Sequence, residues 1–321
     1  MVERNYELLQ GNAFEILEED FPENHFHAIV TDPPYGVIEF AKSNIEKKRD
    51  GVGGVWRIPP ELDGSQRSPL PRFTVLDEDD KRRLADFFVK FGELAYEVLR
   101  PGGHIFIAST QLLMHYVSQG FDEAGLERRD VLVRETKTLR GGDRPKGAHD
   151  HSEYDMVSSM PRVYWEPWLL YRKPFDRKLK ENLDEWETGG LRRESDDRPF
   201  TDLLTDGKTP KQEREITKTA SPSGERHPSV KPQHLMRELC HAALPLKRGT
   251  ILDPFMGSGS TVAAAELLGY DSVGIEIDEE YYAMAEKAIP RFTDIPTPVE
   301  KRNDVDMNAE RDSGASLSDF S

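Results

Sequence analysis

Cysteine is nearly missing from this chain. Cys240 is the only one in 321 residues, which excludes an internal disulfide and a multi-cysteine zinc site. Long apolar runs are missing too. None approaches the ~20 residues that a membrane span needs, so no membrane partner is expected. Met1-Val2-Glu3-Arg4-Asn5 has no apolar signal core, and a cytoplasmic protein is expected. Positive charge is scarce, with 43 Lys and Arg against 59 Asp and Glu and a formal net charge of −16. A uniformly basic, phosphate-binding surface is thereby disfavoured, and the acidity would suit a high-salt habitat. The deficit is uneven, however. From Arg128 to Lys180 there are 13 Lys and Arg against 8 Asp and Glu, so this segment is locally basic.

The length suits one large α/β domain with insertions, or two domains. Tyr6-Glu7-Leu8-Leu9-Gln10 reads as a strand, and Phe14, Ile16 and Leu17 share a helical face before the strand Ala28-Ile29-Val30. Residues 41–76 are polar and rich in Gly and Pro, and read as a long loop that is either a flap near a polyanion or simply solvated. Leu84, Phe88, Phe91, Ala95 and Val98 predict a helix over 79–99. Arg100-Pro101-Gly102-Gly103 stops it before the strand His104-Ile105-Phe106-Ile107-Ala108. A helix is expected over 111–125, a strand near 130–133 and another at Trp165-Glu166-Pro167-Trp168-Leu169-Leu170-Tyr171. Residues 176–226 read as an irregular, polar insertion. Helices are expected over 232–243, 261–268 and 279–289, alternating with strands Thr250-Ile251-Leu252-Asp253 and Ser272-Val273-Gly274-Ile275-Glu276. Cys240 reads as a core filler.

Two stretches carry chemistry. Thr31-Asp32-Pro33-Pro34-Tyr35-Gly36 follows a buried apolar strand. The consecutive prolines cannot continue a sheet ladder, and each holds its predecessor extended. One carboxylate and one aromatic ring are thus presented outward, suited to gripping and stacking a planar polar group such as a nucleobase amine; an ordinary strand-ending turn reads as well. Downstream, Asp253-Pro254-Phe255-Met256-Gly257-Ser258-Gly259-Ser260-Thr261 lies between a strand and a helix. Its glycines allow a tight turn and close approach of a ligand. No lysine follows them, so it is not a phosphate-binding P-loop. Glu276 ends the next strand, where an acid in a doubly wound fold accepts hydrogen bonds from ribose hydroxyls.

Together these stretches resemble the amino-group DNA methyltransferases that use S-adenosylmethionine. Asp32-Pro33-Pro34-Tyr35 looks like their catalytic motif, and Asp253-Pro254-Phe255 with Gly257 and Gly259 like their cofactor motif. Gly11-Asn12-Ala13, Arg100-Pro101-Gly102-Gly103-His104 and His227-Pro228-Ser229-Val230-Lys231-Pro232 resemble further family elements. The order, catalytic motif first and cofactor motif last, is similar to the circularly permuted β class. The resemblance implies a Rossmann-like α/β fold: a mixed seven-stranded sheet with helices on both faces and an inserted target-recognition region. Its segments would be a catalytic half over 1–127 with the loop insertion 41–76, target recognition over 128–226, a cofactor half over 227–292, and a disordered acidic tail over 293–321.

The resemblance also implies roles. Asp32, Pro33, Pro34 and Tyr35 would be catalytic: Asp32 and the Pro33 carbonyl would take hydrogen bonds from the amine, and Tyr35 would stack on a flipped-out base. Cofactor contacts are expected from Asn12, Asp32, His227, Ser229, Lys231, Asp253, Phe255, Gly257, Gly259, Thr261 and Glu276. Asn12 departs from the family's usual aspartate and would contact the cofactor adenine without its charge. Arg140, Arg144, Lys146 and Arg162 are the candidates for contact with double-stranded DNA, set against a solvated basic loop. His149 and His151 lack partners that would make them metal ligands, and no metal is expected. Asp32 leans toward adenine N6 over cytosine N4. RNA methylation and a catalytically silent nucleic-acid-binding module are the rival readings. A homodimer, and a restriction nuclease on a separate chain, are left open by the sequence.

Overall fold

The structure, a computed structural model, describes residues 5–34, 78–136, 153, 156–158, 161–205, 209–225, 227 and 229–296. The expected flap, the centre of the basic segment with His149 and His151, and the acidic tail beyond residue 296 lie outside the described residues.

Eight strands are described: β1 (Tyr6–Gln10), β2 (Phe26–Thr31), β3 (Leu99–Ala108), β4 (Glu127–Glu135), β5 (Trp165–Arg172), β6 (Leu203–Leu204), β7 (Thr250–Asp253) and β8 (Asp271–Glu276). They form one sheet in the order β1-β8-β7-β2-β3-β5-β4-β6. The block from β1 to β3 is parallel throughout. β5 runs antiparallel to both β3 and β4. Alternation along each strand supplies two cores. Ile29, Ile105, Ile107, Leu169 and Leu252 pack on one face, and Ala28, Val30, Phe106, Trp168 and Ile251 on the other.

Helices cover both faces: α1 (Ala13–Glu19), α2 (Glu78–Val98), α3 (Met114–Glu123), α4 (Leu179–Trp186), α5 (Lys211–Ala220), α6 (Gln233–Ala243), α7 (Ser260–Leu268) and α8 (Glu279–Thr293). The apolar stripe of α2 and the buried face of α3 join the first core. α6 and α7 join the second, Cys240 among them. Burial pushes the Cys240 thiol pKa far up, which suits packing and not nucleophilic chemistry.

Three expectations are corrected. The sheet has eight strands, not seven, because β6 pairs with β4 and buries Leu204; two residues are too few to show a period. The polar insertion 176–226 contains α4, which buries only Asn182, and α5, which buries Glu213, Ile216, Thr217 and Ala220, so neither shows much apolar pattern. α8 does not end at Ile289 but runs through Pro290 to Thr293. A mid-helix proline costs ~3 kcal/mol, and full burial of Phe292 beyond it offsets part of that cost. Of residues 128–226, β4 and β5 are integral strands of the sheet, so this segment is interleaved with the core.

The topology fixes where a ligand can sit. From β2 the chain passes through α2 to β3 on one side, and from β7 through α7 to β8 on the other. β2 and β7 are neighbours, so the sheet order reverses between them. A crevice opens outside their carboxyl ends.

Candidate active site

Both motifs lie at that crevice. Thr31, the last residue of β2, donates from Oγ1 to Asp253 Oδ1 at 2.7 Å. Asp253 ends β7 and also accepts from the Phe255 amide at 3.2 Å. Burial raises the Asp253 pKa to about 6 despite these bonds and one from Thr261. Its carboxylate is a buried brace joining the strand of one motif to the loop of the other.

The loop after β7 turns sharply into α7. Gly257 and Gly259 have φ of +52° and +81°, a region that glycine enters without penalty. A Cβ on Gly257 would come 2.8 Å from His227 Nε2. Gly257 N–H donates to Glu276 Oε2 at 2.9 Å, and Asp278 N–H donates to Oε1 at 2.9 Å. Glu276 is buried, which raises its pKa. Phe255 packs among Phe14, Phe87 and Phe91, with ring centroids 5.2–6.5 Å apart.

Asp32 follows β2 and meets the segment before α6. Its Oδ2 accepts from the Lys231 ammonium in a short contact, and Ser229 Oγ lies 3.4 Å away. Lys231 also lies 3.3 Å from Glu166 Oε1, and Arg134 NH1 donates to Glu166 Oε2 at 2.6 Å. The Lys231, Arg134 and Glu166 side chains are at most 20% exposed. Burial pulls the Lys231 pKa down, but Asp32 and Glu166 outweigh it and hold lysine above its usual value. Burial likewise works against ionised Glu166, yet Lys231 and Arg134 keep it below the usual carboxylate range. His227 packs edge-on against Tyr281, 4.6 Å between centroids. Burial and the Lys231 charge lower its pKa to about 4, so it is neutral near pH 7.

These groups line one cavity of about 1300 Å³. Asp32, Pro33 and Pro34 are on its wall, as are His227, Ser229 and Lys231. So are Asn12, Asp253, Phe255, Gly257, Thr261 and Glu276. Two expected residues differ. Gly259 does not line the cavity; it lies against α8, where a Cβ would be 2.5 Å from Ile289 Cγ1. Asn12 lines the cavity, but its side chain caps α1, accepting from Phe14 N–H at 3.1 Å and donating to Glu15 at 3.0 Å. Arg162 is half-buried and off the cavity wall. Tyr35, Arg140, Arg144 and Lys146 lie outside the described residues.

Sequence reasoning missed Arg134, Glu166 and Ser109, all on the wall. Ser109 is 1% exposed, and among the described residues its Oγ has no hydrogen-bond partner. Glu166 lies at the start of the apolar strand β5, and only its partners on β4 and before α6 mark it out. Among the described residues no helix is long and apolar enough to cross a membrane.

Comparison with known proteins places this geometry. The type II methyltransferase M.HindIII of Haemophilus influenzae is 23% identical over 289 residues, 85% of this chain and 91% of that protein. M.MjaI of Methanocaldococcus jannaschii is 23% identical over 313 residues, 89% and 91% of the two chains. Among solved structures, the PvuII DNA methyltransferase (cytosine-N4-specific) superposes with a TM-score of 0.56 at 14% identity, over 92% of this chain and 88% of that one. TTHA0409 of Thermus thermophilus, complexed with S-adenosyl-L-methionine, gives 0.54 at 19% identity, over 89% and 95%. The shared fold is that of S-adenosylmethionine-dependent DNA methyltransferases. A sequence model of the DNA methylase family N6_N4_Mtase matches residues 26–287. The chain belongs to that family of DNA methylases.

Proposed function

We propose that this protein transfers a methyl group from S-adenosylmethionine to the exocyclic amine of a base, adenine N6 by preference, flipped out of a specific duplex sequence. One observation carries the reading: the Thr31–Asp253 bond holds the Asp32-Pro33-Pro34 segment and the Asp253–Gly257 loop on a single cavity. At about 1300 Å³ that cavity exceeds the ~300–1,000 Å³ of a single small-ligand site, and so has room for a cofactor and a base together.

The residues fit the cofactor. Ser260 Oγ is buried where α7 begins and has no partner among the described residues, and Glu276 is oriented at the wall by two backbone amides. Glu276 would take the ribose hydroxyls, Phe255 and Gly257 would form the wall, and His227, Ser229 and Lys231 would face the methionine end. When bound, S-adenosylmethionine supplies a methyl group already activated on a sulfonium. The chain's own task is alignment. Asp32 and the Pro33 carbonyl accept the amine hydrogens, which favours a tetrahedral nitrogen with a localised lone pair and stabilises the positive charge it acquires. Tyr35 would stack on the base. Arg140, Arg144, Lys146 and Arg162 would meet DNA from the locally basic segment. The relatives named type II methyltransferases support a restriction-modification role with the nuclease on another chain, and the motif order supports the permuted class.

The test is to incubate the protein with labelled S-adenosylmethionine and unmethylated duplex DNA, then digest and identify the modified nucleoside. Label in N6-methyladenine is expected. Label in N4-methylcytosine would keep the mechanism and move the base. Absence of label in DNA, with cofactor bound, would overturn the reading.

A further inference from the structure

Arg134, Glu166, Lys231 and Asp32 form a chain of alternating charge that ends on the proposed catalytic carboxylate. The links are 2.6 Å from Arg134 to Glu166, 3.3 Å from Glu166 to Lys231, and a short contact from Lys231 to Asp32. Each link comes from a different part of the fold. Arg134 and Glu166 are register partners on β4 and β5, Lys231 precedes α6, and Asp32 follows β2. All four line the cavity. Buried ion pairs contribute little to stability once desolvation is counted, while breaking one is costly. A four-member chain at the wall of a reaction cavity therefore calls for a role beyond holding the fold.

We propose that Glu166 is a positioning residue for methyl transfer, anchoring the Lys231 ammonium so that Asp32 is held facing the incoming amine. The proposal rests on the methyltransferase reading above. Asp32 comes from a proline-stiffened segment outside the sheet, and Lys231 has a flexible stem. Neither fixes the other alone. Glu166 is on a central strand whose neighbours Trp168, Leu169 and Tyr171 are fully buried, so it gives the pair a rigid origin. It also balances charge, being the carboxylate that lies between the Arg134 and Lys231 cations. Among the described residues, the charged and titratable groups facing Lys231 are Asp32, Glu166, Arg134 and His227. Of these, Asp32 and Glu166 keep its proton on, and Arg134 works against it.

Full-length Glu166→Gln and Glu166→Asp would be compared with wild type for single-turnover transfer to duplex DNA, cofactor affinity, melting temperature and pH profile. Glu166→Gln should lower the single-turnover rate at saturating cofactor about 10–100-fold, the scale of a misplaced reacting group. The alkaline limb of its rate profile should move to lower pH, because Lys231 loses one of its two anions. Glu166→Asp should restore part of both. Should Glu166→Gln not fold, Arg134→Gln carries the test, and its alkaline limb should move to higher pH. A wild-type rate and profile in Glu166→Gln would overturn the proposal. So would equal losses of rate and melting temperature in both Glu166 variants with the limb unmoved. Wild type that binds cofactor and leaves DNA unmethylated would instead overturn the methyltransferase reading, and this proposal with it.

Discussion

Thr31 and Asp253 are 222 residues apart in the chain and joined by a 2.7 Å hydrogen bond at the carboxyl ends of neighbouring strands. The bond is buried, with Thr31 0% and Asp253 4% exposed. It ties the Asp-Pro-Pro segment to the glycine loop, and the two halves of the cavity meet at it.

Thr31→Val keeps the shape and removes the donor. Asp253 would then lose one of the bonds that offset its burial, so the variant should be less stable by about 1–3 kcal/mol. Denaturant melts measure this, and an unchanged midpoint would remove Thr31 from the account.

Gly259→Ala separates a packing glycine from a ligand-binding one. With φ of +81° and Ile289 Cγ1 2.5 Å from the new Cβ, the loss of stability should be about 1–3 kcal/mol. Cofactor affinity, read by calorimetry below the melting transition, should stay near wild type. A large affinity loss with unchanged melting temperature would return Gly259 to the cofactor wall.

Much of the cavity lining could be read from local pattern, and what could not depends chiefly on contacts distant in sequence. Asp32 and Asp253 each end an apolar run and precede residues that cannot continue a strand, so a window of ten residues locates them. Glu276 follows from the spacing of strand, loop, helix and strand. Glu166 cannot be found that way, because its meaning depends on β5 lying beside β4 and on Lys231 arriving from 65 residues further along. The packing of Gly259 is hidden for the same reason: its neighbour Ile289 is 30 residues away on α8. Strand β6 was too short to show, and the capping role of Asn12 at α1, played from the cavity wall, was not read.

Acid should destabilise the protein before it disrupts the carboxylate network. His27 and His227 have pKa values lowered to about 4, and His104 to about 3, by burial first and neighbouring cations second. Unfolded histidine titrates near 6.5, so between about pH 6.5 and 4 the unfolded chain binds more protons and stability falls as pH falls. Asp253, raised to about 6, and Glu276, also raised by burial, act in the opposite direction, two groups against three. Melting temperature should therefore drop steadily from pH 7 to pH 4.5. A flat or rising profile would contradict these assignments, and His104→Gln should make the slope shallower.

The most direct test is the single-turnover rate of Asp32→Ala on duplex DNA, with cofactor affinity measured on the same preparation. Removing a group aimed at charge that develops in the transition state costs about 10²–10³ in rate, and Asp32 also fixes the amine. The account predicts a loss of at least that size in the folded, cofactor-bound variant, with a lowered melting temperature because Lys231 loses an ion-pair partner. A variant that methylates DNA at a rate close to wild type would show that Asp32 does not receive the amine, and the assignment of the cavity's two halves would fall.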